Sequence, residues 1–361
     1  MDKYSVSVIK SIHDWENTHE QWNNLLEKSK SKNIFLTFEW QYSWWNIFSN
    51  DNKKLFIIHV YNNNTLVGIA PLYINNIKHG PFHQKRFEFI GSPEAGSDYL
   101  DVICMAGEEI FISNTIYKYI YNCFKEWDSL YFYDFPSNSM FFMNFICELN
   151  NDGKYCALNT ASYCPTINLP NKIEEYRSSM SSKRRQKLNW KINNLTQKGH
   201  VETVNIICDG SDKYIDDYFD FYEKVRNINN KKLREFIKYY NNYIGNNSTI
   251  QIITLKQNEN KLASILHFIY GERKYSYLTA TNKNYDKNAS VGEILVYECI
   301  KISIEEKFIK YDFLKGEEPY KFKWSNDGER SLSLKYYKFG FITFYLLLIE
   351  TAKNVAKYIL R

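Results

Sequence analysis

The sequence predicts an α+β protein that contains two copies of one folding unit. Residues 55–73 and 250–268 share a pattern of strand, polar turn and strand. In each half a helical stretch follows, and then a short apolar strand with the letters Tyr-Asp-Phe, at 130–135 and at 309–313. The same pattern found twice in one chain indicates a duplicated unit of mixed helix and sheet.

The length of the chain is consistent with this duplication. A protein of 361 residues can form two lobes that each bury a core. We expect these lobes at 1–159 and 160–330, followed by a helical appendage at 331–361. The small residues at 289–292, which open a helix in the second copy, have no counterpart in the first, so we expect the chemistry in the second lobe.

Composition narrows the class of protein further. Aromatic residues make up 17% of the chain, which indicates a compact globular protein, and a net charge of +5 does not by itself indicate nucleic acid or membrane binding. The cysteines are seven in number and form no Cys-x-x-Cys pair, which favours reduced thiols in the cytoplasm and no metal site. No signal peptide is visible, and the apolar run 339–349 is shorter than the ~20 residues of a membrane-spanning helix.

The segment 311–324 is the first candidate for a site. It follows an apolar strand, and Gly316 permits a sharp turn. The next eight residues hold Glu317 and Glu318, two lysines and a phenol. Either carboxylate is a candidate base for removing a proton from an amine or hydroxyl acceptor. The alternative is an ordinary charged loop at the end of a strand.

Two more segments can bind anions. A helix that starts at 290–293 can offer free backbone N–H groups to a phosphate, although a serine-capped helix without a ligand is the alternative. Between 177 and 198 there are seven basic residues and no acid. Arg184, Lys187 and Lys191 would share one face of a helix there, which can hold an anionic substrate or can simply face solvent.

These segments resemble a known family. The string Tyr311-Asp-Phe-Leu-x-Gly-x-Glu-x-Tyr-Lys-x-x-Trp324, about twenty residues after a Ser-x-Gly helix start, is similar to the GNAT-type acetyltransferases associated with cellulose and other exopolysaccharide biosynthesis. Further matches in the same order are Phe38-Glu-Trp40 with Trp44-Trp45, Leu66–Tyr73 and Ser181–Arg185. A related group is the Fem-type aminoacyl transferases, which carry a similar Ser-Lys-x-Arg helix.

The resemblance implies two tandem GNAT-like lobes and direct transfer of an acyl group, most simply acetyl. The donor would be acyl-CoA or the phosphopantetheine of an acyl-carrier protein, and the acceptor an amine or hydroxyl of a sugar or other small molecule. It also implies site residues. Lys321 would stabilise the oxyanion of transfer. The donor pyrophosphate would lie at Ser290, Val291, Gly292 and Glu293, and the substrate against Arg184, Lys187, Lys191, Asp312, Tyr320 and Trp324.

Two other functions stay open. A Fem-type transferase would draw on aminoacyl-tRNA, which the basic helix with Trp190 could contact. A non-catalytic protein of the same fold would bind a partner or the inner face of the membrane through its last helix. In that helix an apolar face precedes two lysines, and the residues concerned are Phe341, Phe344, Tyr345, Leu348, Lys353 and Lys357.

Overall fold

The computed structural model describes residues 3–208, 210–244, 248–283, 285, 290–346 and 348–349. The chain forms two compact units. The first comprises Met1–Ala161 together with Arg330–Arg361, and the second comprises Ser162–Glu329. The chain therefore leaves the first unit, completes the second, and returns to the first.

The first unit combines helices with two sheets, among the described residues. Its helices are α1 (Ile12–Glu16), α2 (His19–Glu27), α3 (Phe38–Phe48), α4 (Glu109–Lys118) and α5 (Met140–Asn151), and its strands are β1 (Tyr4–Ile9), β2 (Lys53–Leu55), β3 (Ile57–Asn62), β4 (Thr65–Ala70), β5 (Leu72–His79), β6 (Phe82–Phe89), β7 (Ile103–Cys104) and β8 (Ser129–Pro136). The strand orders are β1-β3-β4-β7 and β2-β5-β6-β8. Four tryptophans of α1, α2 and α3 are fully buried, namely Trp15, Trp22, Trp40 and Trp44. Their burial attaches this helical layer to the sheets.

The C-terminal region differs from the predicted appendage. The segment 331–361 was expected to be helical, but it begins inside a strand that runs Asp327–Tyr337. From Ser331 onward this strand pairs antiparallel with β8 and so extends the sheet of the first unit. Residues 341–346 are helical. The expected boundaries at 159 and 330 lie close to those of the two units.

The predicted apolar face of the last helix is partly covered. The rings of Phe341 and Tyr345 lie 5.1 and 4.8 Å from the ring of Phe82, but Phe341, Phe344 and Leu348 all remain exposed. Lys353 and Lys357 lie outside the described residues. No described helix is long and apolar enough to cross a membrane.

The second unit is built on a single twisted sheet, as far as its described residues show. The chain enters it through β9 (Ala157–Asn168) and continues through α6 (Ile173–Ser179), α7 (Ser182–Thr196), β10 (Val201–Ile207), α8 (Asp212–Arg226), α9 (Lys231–Tyr243), β11 (Ser248–Gln257), β12 (Asn260–Tyr270), β13 (Arg273–Thr281), α10 (Val291–Glu305), β14 (Lys310–Asp312), α11 (Pro319–Trp324) and finally β15 (Asp327–Tyr337). The strand order is β10-β11-β12-β13-β14-β9. Helix α10 packs on β11, β12 and β13 through a face that includes Ile294, Leu295 and Ile300, all buried.

The duplicated segments fold as matching hairpins. In the first unit β3 and β4 meet at Asn63-Asn64, with φ of 47° and 66°, and in the second β11 and β12 meet at Asn258-Glu259, with φ of 45° and 65°. Two positive φ values are typical of the tight turn that suits twisted antiparallel strands. Both hairpins also carry a register shift close to the turn, at the steps Val60/Tyr61 and Leu255/Lys256 of the strands that enter it. When residues 55–73 are aligned with residues 250–268, the turn residues and the register shifts fall at equivalent positions.

Each unit also contains a parallel strand pair that a helix connects. Strand β6 pairs with β8, and β13 pairs with β14. The second pairing joins Arg273, Lys274 and Tyr275 to Lys310, Tyr311 and Asp312. Residues 276–281 of β13 extend past the end of β14, so this side of β13 is open for other groups to approach.

Candidate functional site

A cavity of about 430 Å³ lies in the second unit, beside the end of β13 that extends past β14. Three elements enclose it: this end of β13, the first turn of α10, and the segment that follows β14. Its described lining comprises Arg226, Thr279, Thr281, Lys283, Gly292, Glu293, Val296, Glu318, Tyr320, Lys323 and Trp324. Five of the residues that the sequence predicted for a site are thereby brought together.

The first turn of α10 is open toward this cavity. Ser290 has a left-handed backbone with φ of 47°, and its side chain caps none of the described N–H groups of the helix. The first N–H groups of a helix have no acceptor within it and can bind a ligand, although here the N–H of Glu293 donates to the Ser290 carbonyl at 2.8 Å. Ser290 therefore occupies the cap position of α10 without a side-chain cap bond, and the binding of a phosphate there stays a prediction.

Gly292 keeps the backbone of this turn close to β13. A Cβ atom at Gly292 would lie 3.3 Å from the Oγ1 atom of Thr281. Among the other predicted donor-binding residues, Glu293 lines the cavity, while the side chain of Val291 is buried in the core. Asn288 and Ala289, which precede the turn in sequence, lie outside the described residues.

The turn between β14 and α11 is held by Lys321. Leu314 and Gly316 have positive φ values of 56° and 137°. Their conformations direct two carbonyl groups at the ammonium of Lys321, which donates to the oxygen of Lys315 at 2.7 Å and to that of Leu314 at 3.4 Å. The Lys321 side chain is 7% exposed and also forms an ion pair with Glu318 at 3.0 Å. The Lys321 ammonium thus binds carbonyl groups of its own turn, and the residue lies outside the described lining of the cavity. This position differs from the predicted contact with a reacting carbonyl.

This arrangement predicts a stability effect for Lys321→Met. The change removes the donor for two backbone carbonyls in a buried turn, and an unsatisfied buried group costs about 1–3 kcal/mol. We expect the free energy of unfolding in urea to fall by that amount. Lys323→Met, at an exposed position in the same helix, should leave it unchanged. A Lys321→Met protein of full stability but with much slower transfer would instead support the oxyanion role.

The two neighbouring acids occupy different environments. Glu318 lines the cavity and its side chain is 55% exposed despite the ion pair with Lys321. Glu317 is exposed and is not part of the described lining. Of the two predicted candidates for the base, the geometry therefore favours Glu318.

Tyr320 and Trp324 present an aromatic wall to the cavity. Burial and the nearby Glu318 carboxylate raise the pKa of Tyr320 to about 12, so the phenol stays protonated at neutral pH. Trp324 is buried, and its backbone carbonyl accepts a hydrogen bond from the Tyr176 hydroxyl at 3.1 Å. The segment thus offers one proton donor and one rigid apolar surface.

The three cations predicted to share one face of α7 have different surroundings. Lys191 forms a buried ion pair with Glu293. Arg184 donates to the Lys323 carbonyl, and its guanidinium carbon lies 4.3 Å from the centre of the Trp324 ring. Only Lys187 of the predicted three is exposed. Arg184 and Lys191 therefore contact residues of the cavity lining, but none of the three cations belongs to the described lining itself.

Asp312 is part of an internal ion pair. Its carboxylate is fully buried and accepts hydrogen bonds from the Arg273 guanidinium and, at 2.7 Å, from the backbone N–H of Leu314. Arg273 also reaches Glu329 at 3.1 Å. Tyr311, beside it, is buried and hydrogen-bonded to His267 at 2.9 Å. The predicted substrate contact of Asp312 is therefore replaced by a structural role at the end of β14.

The charge of the cavity comes from residues to which the sequence analysis assigned no role. Arg226, Lys283 and Lys323 are exposed cations of the described lining. Its two acids, Glu293 and Glu318, are each paired with a buried lysine. The cavity therefore carries a net positive charge, which favours an anionic ligand. Thr279 and Thr281, which alternate along β13 toward one face, were a signal that strand periodicity could have supplied.

Part of the second unit matches a known protein family. Residues 182–322 match the family model described as Acetyltransferase (GNAT) domain. None of the curated proteins matches the chain. The structure of FemX superimposes with a TM-score of 0.59 at 8% identity, over 92% of this chain and 97% of FemX. L-PGS from Bacillus licheniformis superimposes with a TM-score of 0.54 at 11% identity, over 91% of this chain and 95% of its own.

A third solved structure has the same fold. The C-terminal domain of a putative lysylphosphatidylglycerol synthetase from Agrobacterium fabrum gives a TM-score of 0.52 at 8% identity, over 94% of this chain and 96% of that domain. At such identities the likeness concerns the fold. Residues 182–322, which match the GNAT domain model, lie within the second unit, and the predicted α+β fold of two GNAT-like lobes is confirmed.

Proposed function

We propose that this protein transfers an acyl group, in the simplest case acetyl, from a thioester donor directly to an amine or hydroxyl of a sugar or other small acceptor. The donor is acyl-CoA or the phosphopantetheine of an acyl-carrier protein. The observation that carries the proposal is the cationic cavity in which the open start of α10, the free end of β13 and the Glu318–Trp324 segment meet. We place the reaction in the cytoplasm, with the last helix as a contact to the inner face of the membrane.

The donor's phosphates fit the start of α10. The helix presents free N–H groups there, and Arg226, Lys283 and Lys323 supply positive charge around the same cavity. Arg226 is oriented by a hydrogen bond of 3.0 Å to the Thr279 carbonyl. The thioester arm would then lie along residues 276–281 of β13, whose open side can pair with the amides of an extended ligand.

Glu318 and Tyr320 can carry out the proton transfers of the reaction. The acceptor's nitrogen or oxygen attacks the thioester carbonyl, and Glu318 takes the proton that the acceptor loses. The carbon–sulfur bond breaks, and the Tyr320 phenol can donate a proton to the leaving thiolate. Such a reaction needs no covalent enzyme intermediate, because positioning two substrates together supplies a large part of the acceleration.

A second candidate function is transfer from aminoacyl-tRNA. It is supported by the likeness to FemX over nearly the whole of both chains, and by the outer surface of α7. Lys183, Lys187 and Trp190 are exposed there, and Trp190 is 58% exposed. A basic helix with an exposed aromatic ring can contact the backbone and bases of a nucleic acid.

A donor panel separates these functions. Native mass spectrometry of the full chain with acetyl-CoA, an acyl-carrier protein and an aminoacyl-tRNA would report the donor directly. We expect acetyl-CoA or the acyl-carrier protein to bind the wild type, and Arg226→Gln with Lys323→Gln to abolish binding. Binding of aminoacyl-tRNA alone, lost in Lys183→Gln with Lys187→Gln, would favour the second function.

Gly292→Val tests the place of the donor's phosphates. The branched side chain would crowd Thr281 and block the close approach of a phosphate to the helix start. We expect the dissociation constant of the CoA donor, measured by calorimetry, to rise at least about tenfold, or 1.4 kcal/mol. Gly292→Ala should give a smaller rise. If both folded variants bind the donor as well as the wild type, the phosphate site lies elsewhere, most simply along α7.

A further inference from the structure

A second cavity, of about 510 Å³, lies in the first unit. It is lined by the end of β1, by β2, and by residues of β5 and β6. Its floor is apolar: Leu55 and Ile74 are buried, and the rings of Phe56 and Phe124 lie 4.5 Å apart. This volume lies in the range of pockets that enclose small organic ligands.

Four lysines surround this floor, and Glu126 is the one acid of the described lining. Two of the lysines are compensated. Lys53 forms an ion pair with Glu94 at 2.5 Å and donates to the Phe48 carbonyl at 2.9 Å. Lys85 forms an exposed ion pair with Glu126 at 3.3 Å.

The other two lysines, Lys10 and Lys54, are exposed, and neither has an acidic partner among the described residues. The ammonium of Lys10 lies 5.5 Å from the centre of the Phe56 ring and 6.0 Å from that of Phe124. It is therefore held directly over the aromatic floor. Two exposed positive charges without an acidic partner among the described residues thus border an apolar surface.

We propose that the first unit binds an amphipathic organic anion in this cavity. The apolar body of the ligand lies on Leu55, Phe56 and Phe124, and its carboxylate or phosphate is held by Lys10 and Lys54. Ion pairs strengthen where the surroundings exclude water, so the apolar floor and the charges reinforce each other. The lining belongs entirely to the first unit, and the proposal is independent of acyl transfer in the second.

Calorimetry on the full chain tests this site with three probes. Phenyl phosphate and octanoate each combine an apolar body with an anionic head, and comparing them distinguishes a phosphate ligand from a carboxylate ligand. Inorganic phosphate measures the head alone. The test variant is Lys10→Gln with Lys54→Gln, whose exposed positions should leave the fold intact, as an unfolding curve will verify.

Two matched controls accompany this variant. Lys28→Gln with Lys118→Gln removes the same charge from exposed positions of the first unit outside the described lining. Arg226→Gln with Lys323→Gln removes charge from the cavity of the second unit. We expect the affinity of at least one amphipathic probe to fall tenfold or more in the test variant. The same probe should bind both control variants at this site as tightly as it binds the wild type.

Three results would overturn the proposal. The first is unchanged affinity of both probes in the test variant. The second is that inorganic phosphate binds as tightly as phenyl phosphate and octanoate does not bind. The apolar floor would then contribute nothing to the affinity. The third is a wild-type protein that binds neither amphipathic probe. None of these results bears on the donor panel for the second unit, so the two proposals can fail separately.

Discussion

Glu318→Gln is expected to lower kcat about 10²- to 10⁴-fold, which is the usual contribution of a general base. The amide keeps the shape of the side chain at the cavity but cannot accept the acceptor's proton. Steady-state kinetics with the donor found in the panel would measure the change. The affinity for the donor should change little, because Lys321 keeps its bonds to the carbonyls of Leu314 and Lys315.

Glu317→Gln is the matched control for this experiment. It makes the same chemical change one residue earlier, at an exposed side chain outside the described lining. Its kcat should stay within about twofold of the wild type, far from the effect of losing a base. Equal losses in both variants would show that Glu318 is not the base, as would a Glu318→Gln enzyme that keeps the wild-type rise of rate with pH.

Arg273→Met is expected to lower the free energy of unfolding by about 3–5 kcal/mol, because it removes one partner of a buried ion pair. The Asp312 carboxylate would remain fully buried without its guanidinium. Urea unfolding would measure the loss. Adding Asp312→Asn should restore part of the stability, since the buried carboxylate that Arg273 compensates is then removed.

Lys310→Met provides the comparison for this pair. Lys310 contacts Glu329 at 3.0 Å, next to Arg273, but both members of this ion pair are partly exposed to water. A pair of this kind contributes about 0–1 kcal/mol. If Arg273→Met costs no more than Lys310→Met, the ion pair of Asp312 does not stabilise the end of β14 in the way described.

The fold could be predicted from local patterns. The alternation of apolar residues around Asn63-Asn64 and around Asn258-Glu259 is a short-range signal of a hairpin, and both hairpins formed. Gly316 marked a turn, and the turn has the positive φ that glycine accepts most readily. The prediction of a helical appendage was wrong for the residues of β15. The pairing of Leu332 with Phe135 depends on a strand far away in sequence, which local patterns do not reveal.

The site could be predicted only in part, because motifs do not reveal where a long side chain points. The segment from Glu318 to Trp324 and the start of α10 did meet at one cavity. The basic helix was misjudged because Glu293, which neutralises Lys191, lies 102 residues away. Arg226 and Lys283 belong to no motif, and only the folding of α8 and β13 places their charges at the cavity.

The path of the chain sets an order of assembly. All described elements of the second unit precede the main part of β15, and β15 is the strand that covers the edge of β8. During synthesis the edges of β8 and β9, the two neighbours of β15 in the strand order, therefore stay unpaired until β15 is made. Open edges of this kind recruit other strands and lead to aggregation. Until β15 docks, the nascent chain is therefore open to aggregation at these edges, and a change that slows this docking should lower the soluble yield more than it lowers the stability of the finished protein.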